Sequence, residues 1–170
     1  INDSVITIKE IEDLLPDPDI DLANAAKEAG NIYFGYTFFP QPAKKMAVKK
    51  RTKEKDIRLQ LLDDGKFFRK IDPSELETIN DFYDIDPPVD ELIKSSKGTY
   101  FFQTIAEPDG ISRRYPLVGK YEDKLFPNAA LALALDHYGV SFNDVKIVPG
   151  KYLSIPLPSQ DEYGRSAIEI

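Results

Sequence analysis

Arg113 and Arg114 stand side by side just after an Asp-Gly turn, and no other pair of residues in the chain makes so direct a chemical demand. Gly98 to Ile105 (GTYFFQTI) is dense in aromatic and β-branched residues and reads as a strand. Glu107-Pro108-Asp109-Gly110 supplies turn chemistry, and the following ISRRYPLVGK reads as the returning strand of a hairpin. Successive side chains of a strand point to opposite faces, so at least one guanidinium lies inward or along an edge, where it needs an anion. Asp109, Arg113, Arg114 and Tyr115 are therefore the candidate ligand-binding residues. The arginines either grip an anionic ligand or close an internal ion pair with a residue such as Asp109, the commoner arrangement. If the pair is internal and buried, Arg113→Ala unfolds the domain. If it binds ligand, the substitution leaves the melting temperature unchanged and abolishes ligand-induced stabilisation.

Little else in the sequence points to chemistry. The absence of cysteine removes disulfides, thiol nucleophiles and thiolate metal sites. The single histidine, His137, falls in the last turn of a helix, where it serves as a C-terminal capping donor, the commoner role, or as a pH sensor. No G-x-S-x-G turn accompanies it, and neither a G-x-x-x-x-G-K-[ST] loop nor a G-x-G-x-x-G turn occurs. The acidic run Asp81, Asp84, Asp86, Asp90, Glu91 lacks the central glycine and ligand spacing of a calcium loop and contains Pro87-Pro88, so it reads as a surface loop rather than a metal site. Neither catalytic residues nor a cofactor or metal is expected. The remaining enzyme reading is a fragment of a soluble α/β enzyme whose active-site half lies outside this chain.

Composition sets the frame for these residues. A chain of 170 residues with 42% hydrophobic and 30% charged residues can bury a core, and its net charge of -7 argues against nucleic acid as a partner. Against that acidic background, Lys44 to Arg58 holds eight cations and two acidic residues. Such a run either meets an anionic surface or is a solvated insertion, the usual fate of like charges. The longest apolar run, Ala129 to Leu135, is too short to span a bilayer, and no signal-peptide pattern opens the chain. Because the sequence starts at Ile1 and stops at Ile170 within an apparent strand, it reads as an excised fragment whose flanks carry membrane segments.

The elements that must hold these residues follow from periodicity and caps. Thr7 to Glu10 has capping-box spacing ahead of a short helix through Ile8, Ile11, Leu14 and Leu15. Asp19 or Asp21 caps a second helix carrying Leu22, Ala25, Ala26 and Ala29, with Gly30 at its C-terminus. Asn31 to Phe39 is apolar or aromatic on both faces, as a buried central strand is. Asp72-Pro73-Ser74-Glu75 opens a helix through Leu76, Ile79, Phe82 and Tyr83. Phe126-Pro127-Asn128 opens an Ala/Leu helix closed by Gly139, apolar and so buried on nearly every side. Val145 to Val148 and Tyr152 to Leu157 read as strands around Pro149-Gly150, followed by a polar loop to Gly164. The expected architecture is a single α/β domain with a central mixed β-sheet, the Asn31 to Phe39 strand inside it, the Gly98 to Val118 β-hairpin beside it, and helices on both faces.

The order of several motifs resembles a known family. Asp21-Leu22-Ala23 before a Gly-Asn-Ile strand, the stretch from Pro108 to Leu117, Phe126-Pro127 ahead of the Ala/Leu helix, and Ile155-Pro156-Leu157 with Gly164 look like the second class of CHASE domains. These are extracytoplasmic sensors of bacterial adenylate cyclases, histidine kinases and Ser/Thr kinases. The resemblance runs from Asp19 onward with a gap at the basic stretch. It implies a periplasmic or cell-surface sensor, not an enzyme itself, that binds a small-molecule or anionic ligand. Flanking membrane helices absent from this chain would relay the signal to a cytoplasmic cyclase or kinase. Family members usually begin with a further strand and helix bearing an Ile-Asp pair and a Trp-Pro-Trp-like segment, whereas this chain has no tryptophan. The family's N-terminal part is thus missing or divergent. A homodimer through the apolar remainder of the Ala/Leu helix is expected.

Overall fold

The computed structural model describes residues 16–39, 52–62, 68–70, 79, 81–104, 107 and 109–170, and the backbone alone at 63–64. The helices expected around Ile8 to Leu15 and from Asp72 lie outside the described residues, apart from Ile79, Phe82 and Tyr83.

Helix α1 (Pro18–Ala29) starts at least two residues earlier than the sequence suggests. Asp17, not Asp19 or Asp21, is the N-cap, its carboxylate accepting the Asp19 N–H at 2.9 Å. Pro18 needs no partner for a missing N–H, and Asp19 and Asp21 lie in the positive first turn. Gly30 closes the helix with φ 69°, a left-handed position that side chains resist. Only the small Ala23 and Ala26 are buried, while Leu22 is exposed, so the inward stripe is offset from the one expected.

Strand β1 (Tyr33–Phe39) forms as the sequence indicates and sits in the middle of a mixed sheet. It pairs antiparallel with β3 (Asp84–Asp86) and parallel with β4 (Gly98–Phe101). Between them lie α2 (Lys53–Asp64), the two-residue strand β2 (Arg69–Lys70) and the short helix α3 (Asp90–Ser95), against which α1 and α2 both lie. The parallel pairing corrects the hairpin expected from Gly98 to Val118. β4 takes β1 as its partner, reached by a crossover through the intervening chain, and residues 111–117 run back without strand structure. The hairpin is one step later, where β5 (Val118–Tyr121) pairs with β6 (Lys124–Pro127) around Glu122-Asp123. Glu122 takes the positive φ of 54° that so tight a return requires.

The chain is an α/β domain, but among the described residues its strands are divided among three three-stranded sheets in place of one central sheet: β3-β1-β4, β2-β6-β5 and β7-β8-β9. The third is antiparallel, built from β7 (Lys146–Val148), β8 (Tyr152–Pro156) and β9 (Ala167–Glu169). Two isolated bridges, Phe101 to Asn128 and Asp81 to Lys120, link segments of the first two sheets. An aromatic core lies among their residues. Phe38 stacks on Phe82 at 4.4 Å and meets Phe101 and Phe126 edge-on at 5.2 and 5.5 Å. Gly119 is required here, since a Cβ would stand 2.6 Å from the Phe82 ring.

Alternation along β6 feeds two cores from one strand: Phe126 joins the aromatic cluster, while Leu125 joins Leu131, Leu135, Phe142, Leu153 and Ile155. Leu131 and Leu135 belong to α4 (Ala129–Tyr138), which buries one side only. Leu133 is 49% exposed, correcting the expectation of burial all round. Asn128, fully buried, is the joint. Its Oδ1 accepts the Leu131 N–H at 2.8 Å as the N-cap of α4, and its Nδ2 donates to the Pro116 carbonyl at 2.9 Å.

Candidate functional site

The four residues singled out by sequence come together, but in a turn that satisfies itself. Gly110, with φ 80°, lets its N–H reach the Glu107 carbonyl at 2.8 Å, and Asp109 Oδ1 accepts the Ile111 N–H at 3.0 Å. Arg113 then places Nη2 2.7 Å from Asp109 Oδ2 and Nη1 3.1 Å from Glu107 Oε2, while Arg114 Nη2 lies 3.0 Å from Glu107 Oε1. The Arg113 hydrogen bond holds the Asp109 carboxyl below its usual range, and Asp109 raises the Arg113 guanidinium in return. Glu107 and Asp109 are thus the anions the arginine pair demands. Neither arginine points inward: Arg113 is 50% and Arg114 86% exposed, because residues 111–117 never join a sheet. Tyr115 donates to the Phe101 carbonyl at 3.2 Å, tying the loop to β4. Glu107 escaped sequence reasoning, although its place at the first position of the Asp-Gly turn is the signal that could have found it.

A concavity lies between α2 and β3, in segments that read as a basic insertion and an acidic surface loop. Residues 44–51 of the basic run lie outside the described residues, and over the described part both readings need correction. Residues 53–58 are helical, with Thr52 Oγ1 accepting the Lys55 N–H at 3.2 Å at the helix start, and residues 84–86 form the edge strand β3. Lys55 and Arg58 are three apart and share one helix face. Asp84 and Asp86 flank the fully buried Ile85 and share the opposite strand face. Lys55 pairs with Asp84, and Arg58 Nε lies 3.2 Å from Asp90 Oδ1 on α3, all four side chains partly shielded. The cleft of about 410 Å³ is bordered by these two cations, by Asp84 and Asp86, by Thr52 and Glu54, and by apolar Phe39 and Pro87. Its volume falls within the range of small-molecule pockets, about 300–1,000 Å³.

Other surface features are simpler. An apolar groove of about 240 Å³ runs between Leu117 and the β7-β8 turn, with Ile79, Tyr152 and Ile170 on its walls. On the outer face of β1 and β4, Tyr33 stacks on Tyr100 at 6.4 Å and Phe102 covers Gly35. Asp136 accepts from Lys97 at 2.7 Å and from the Tyr33 hydroxyl. Burial, then this contact, pushes the Tyr33 hydroxyl up to about 12. His137 is exposed beside Tyr138, and the left-handed Gly139 backbone closes α4. Among the described residues no group of three or more His, Asp or Glu could hold a metal, and no helix is long and apolar enough to cross a membrane.

No family model matches the chain, and neither does any curated protein or solved structure.

Proposed function

We propose that this chain is the extracytoplasmic recognition domain of a bacterial membrane receptor, seating a small polar ligand in the α2-β3 cleft and signalling to a cytoplasmic cyclase or kinase. The observation that carries this reading is the cleft itself: a ligand-sized concavity crossed by part-buried ion pairs. Ion pairs of this kind make a two-state element. A ligand that competes for Lys55 or Arg58 loosens α2 from Asp84 on β3 and Asp90 on α3, and so changes how the helices sit on the sheet. Transmission through flanking membrane helices follows from the motif order rather than from the cleft. The exposed Leu133 side of α4 is the surface on which the expected homodimer would pack.

The test is a thermal-shift screen of small polar metabolites on the purified chain, repeated with the double variant Lys55→Met, Arg58→Met. The reading requires a compound that raises the melting temperature of the parent chain and not of the variant, and that changes output when applied to the full-length receptor. Turnover of a metabolite by the purified chain, or a full-length gene product with no hydrophobic segment of about 20 residues, would replace it with the enzyme-fragment reading.

A further inference from the structure

The lining of the cleft restricts what it can hold. Lys55 and Arg58 on α2 present two cations, while Asp84 and Asp86 on β3, with Glu54, present three carboxylates around the same space. A purely anionic solute would meet those carboxylates at close range, and a purely cationic one would meet the ammonium and guanidinium. Like charges so placed cost affinity where water is partly excluded. A solute carrying both charges a few bonds apart satisfies both walls. Among the described residues Arg58 directs Nε to Asp90, and a guanidinium has further N–H donors in a planar fork suited to a carboxylate. Asp86, exposed at the end of the edge strand β3, presents its carboxylate on the same strand face as Asp84. Phe39 and the buried Pro87 offer apolar surface for a short side chain.

We infer that the α2-β3 cleft binds a compact zwitterion of the α-amino-acid type, its carboxylate toward Arg58 and Lys55 and its ammonium toward Asp84 and Asp86. The inference rests on the cleft being the ligand seat and adds the chemical class. Lys55-Asp84, already joined, is the pair such a ligand divides, one partner taking each end of the zwitterion.

Calorimetric titration of the purified chain with glycine, L-serine, L-leucine and L-glutamate, and with their N-acetyl and methyl-ester derivatives, tests it. At least one free amino acid should bind with a saturating heat. Removing either charge by derivatisation should weaken binding by about tenfold or more. Arg58→Gln and Asp86→Asn should each weaken it similarly, whereas Arg113→Ala, in the self-satisfied turn, should leave it unchanged. The derivative series does not depend on any variant folding. Equal binding of the free and derivatised compounds overturns the zwitterion assignment, as does binding of inorganic phosphate alone; where that binding is sensitive to Arg58→Gln, the cleft survives as the seat. Failure of all these probes, or binding indifferent to both cleft variants, overturns the inference; if the metabolite screen is also blank, the cleft reading falls with it.

Discussion

Replacing Asn128 by alanine should expose how the two cores are joined. The side chain is fully buried and makes two bonds to the backbone, one capping α4 at Leu131 and one holding the Pro116 carbonyl at the end of the loop that carries Arg113 and Arg114. Loss of the cap costs about 1 kcal/mol. A buried donor or acceptor left without a partner costs about 1–3 kcal/mol. The cap accounts for the Leu131 N–H and the lost donor for the Pro116 carbonyl, so the expected destabilisation is about 2–4 kcal/mol. For a chain of this length that is a fall in melting temperature of roughly 5–15 °C. Asn128→Ser keeps an oxygen for Leu131 but cannot span to Pro116, and should recover about 1 kcal/mol. Urea unfolding followed by far-UV circular dichroism measures both. An alanine variant within experimental error of the parent, or a serine variant no better than alanine, would refute the assignment of Asn128 as the joint.

Three further expectations follow from the same geometry. Gly119→Ala drives a methyl into the Phe82 ring, which is itself stacked on Phe38, and should destabilise by about 1–3 kcal/mol in the same unfolding assay. Arg113→Ala should leave the unfolding midpoint unchanged, because its ion pairs are exposed; a collapse of the fold would restore the buried-pair expectation drawn from sequence. Tyr33, with its hydroxyl raised to about 12 from an ordinary value of 10, holds its proton more tightly folded than unfolded. Its contribution is therefore complete below pH 10 and lost as pH rises toward 12, and Tyr33→Phe should flatten that part of the stability profile.

Local signals were legible in the sequence and long-range ones were not. Gly30 and Gly139 end their helices, Asn128 starts α4, and β1, β7 and β8 occupy the stretches their composition indicates. Each depends on neighbours a few residues away. The cap at Asp17 was displaced because three aspartates in a row of five residues offer equivalent side chains, and Pro18 decides among them. The partner of β4 was misread for another reason: an aromatic strand followed by Asp-Gly suits a hairpin, yet parallel pairing with β1 depends on contacts some 65 residues away in sequence. The cleft was hidden in the same way. Lys55 and Asp84 are 29 positions apart, and each sat within a run of like charge that reads as solvated surface. Only the helical turn of α2 and the pleat of β3 bring opposite signs face to face. The α4 stripe shows the limit of composition, since an Ala/Leu helix buries as much as its neighbours cover and Leu133 is left half exposed.

The most direct test of the account is a chemical-shift map, by two-dimensional NMR, of the purified chain titrated with the free amino acid that gives the largest thermal shift. Perturbations should concentrate at residues 52–58 and 84–90, with the turn from Glu107 to Tyr115 unchanged. Perturbations confined to Arg113 and Arg114, or spread with no focus on α2 and β3, would contradict the claim that this cleft is where the molecule recognises its ligand.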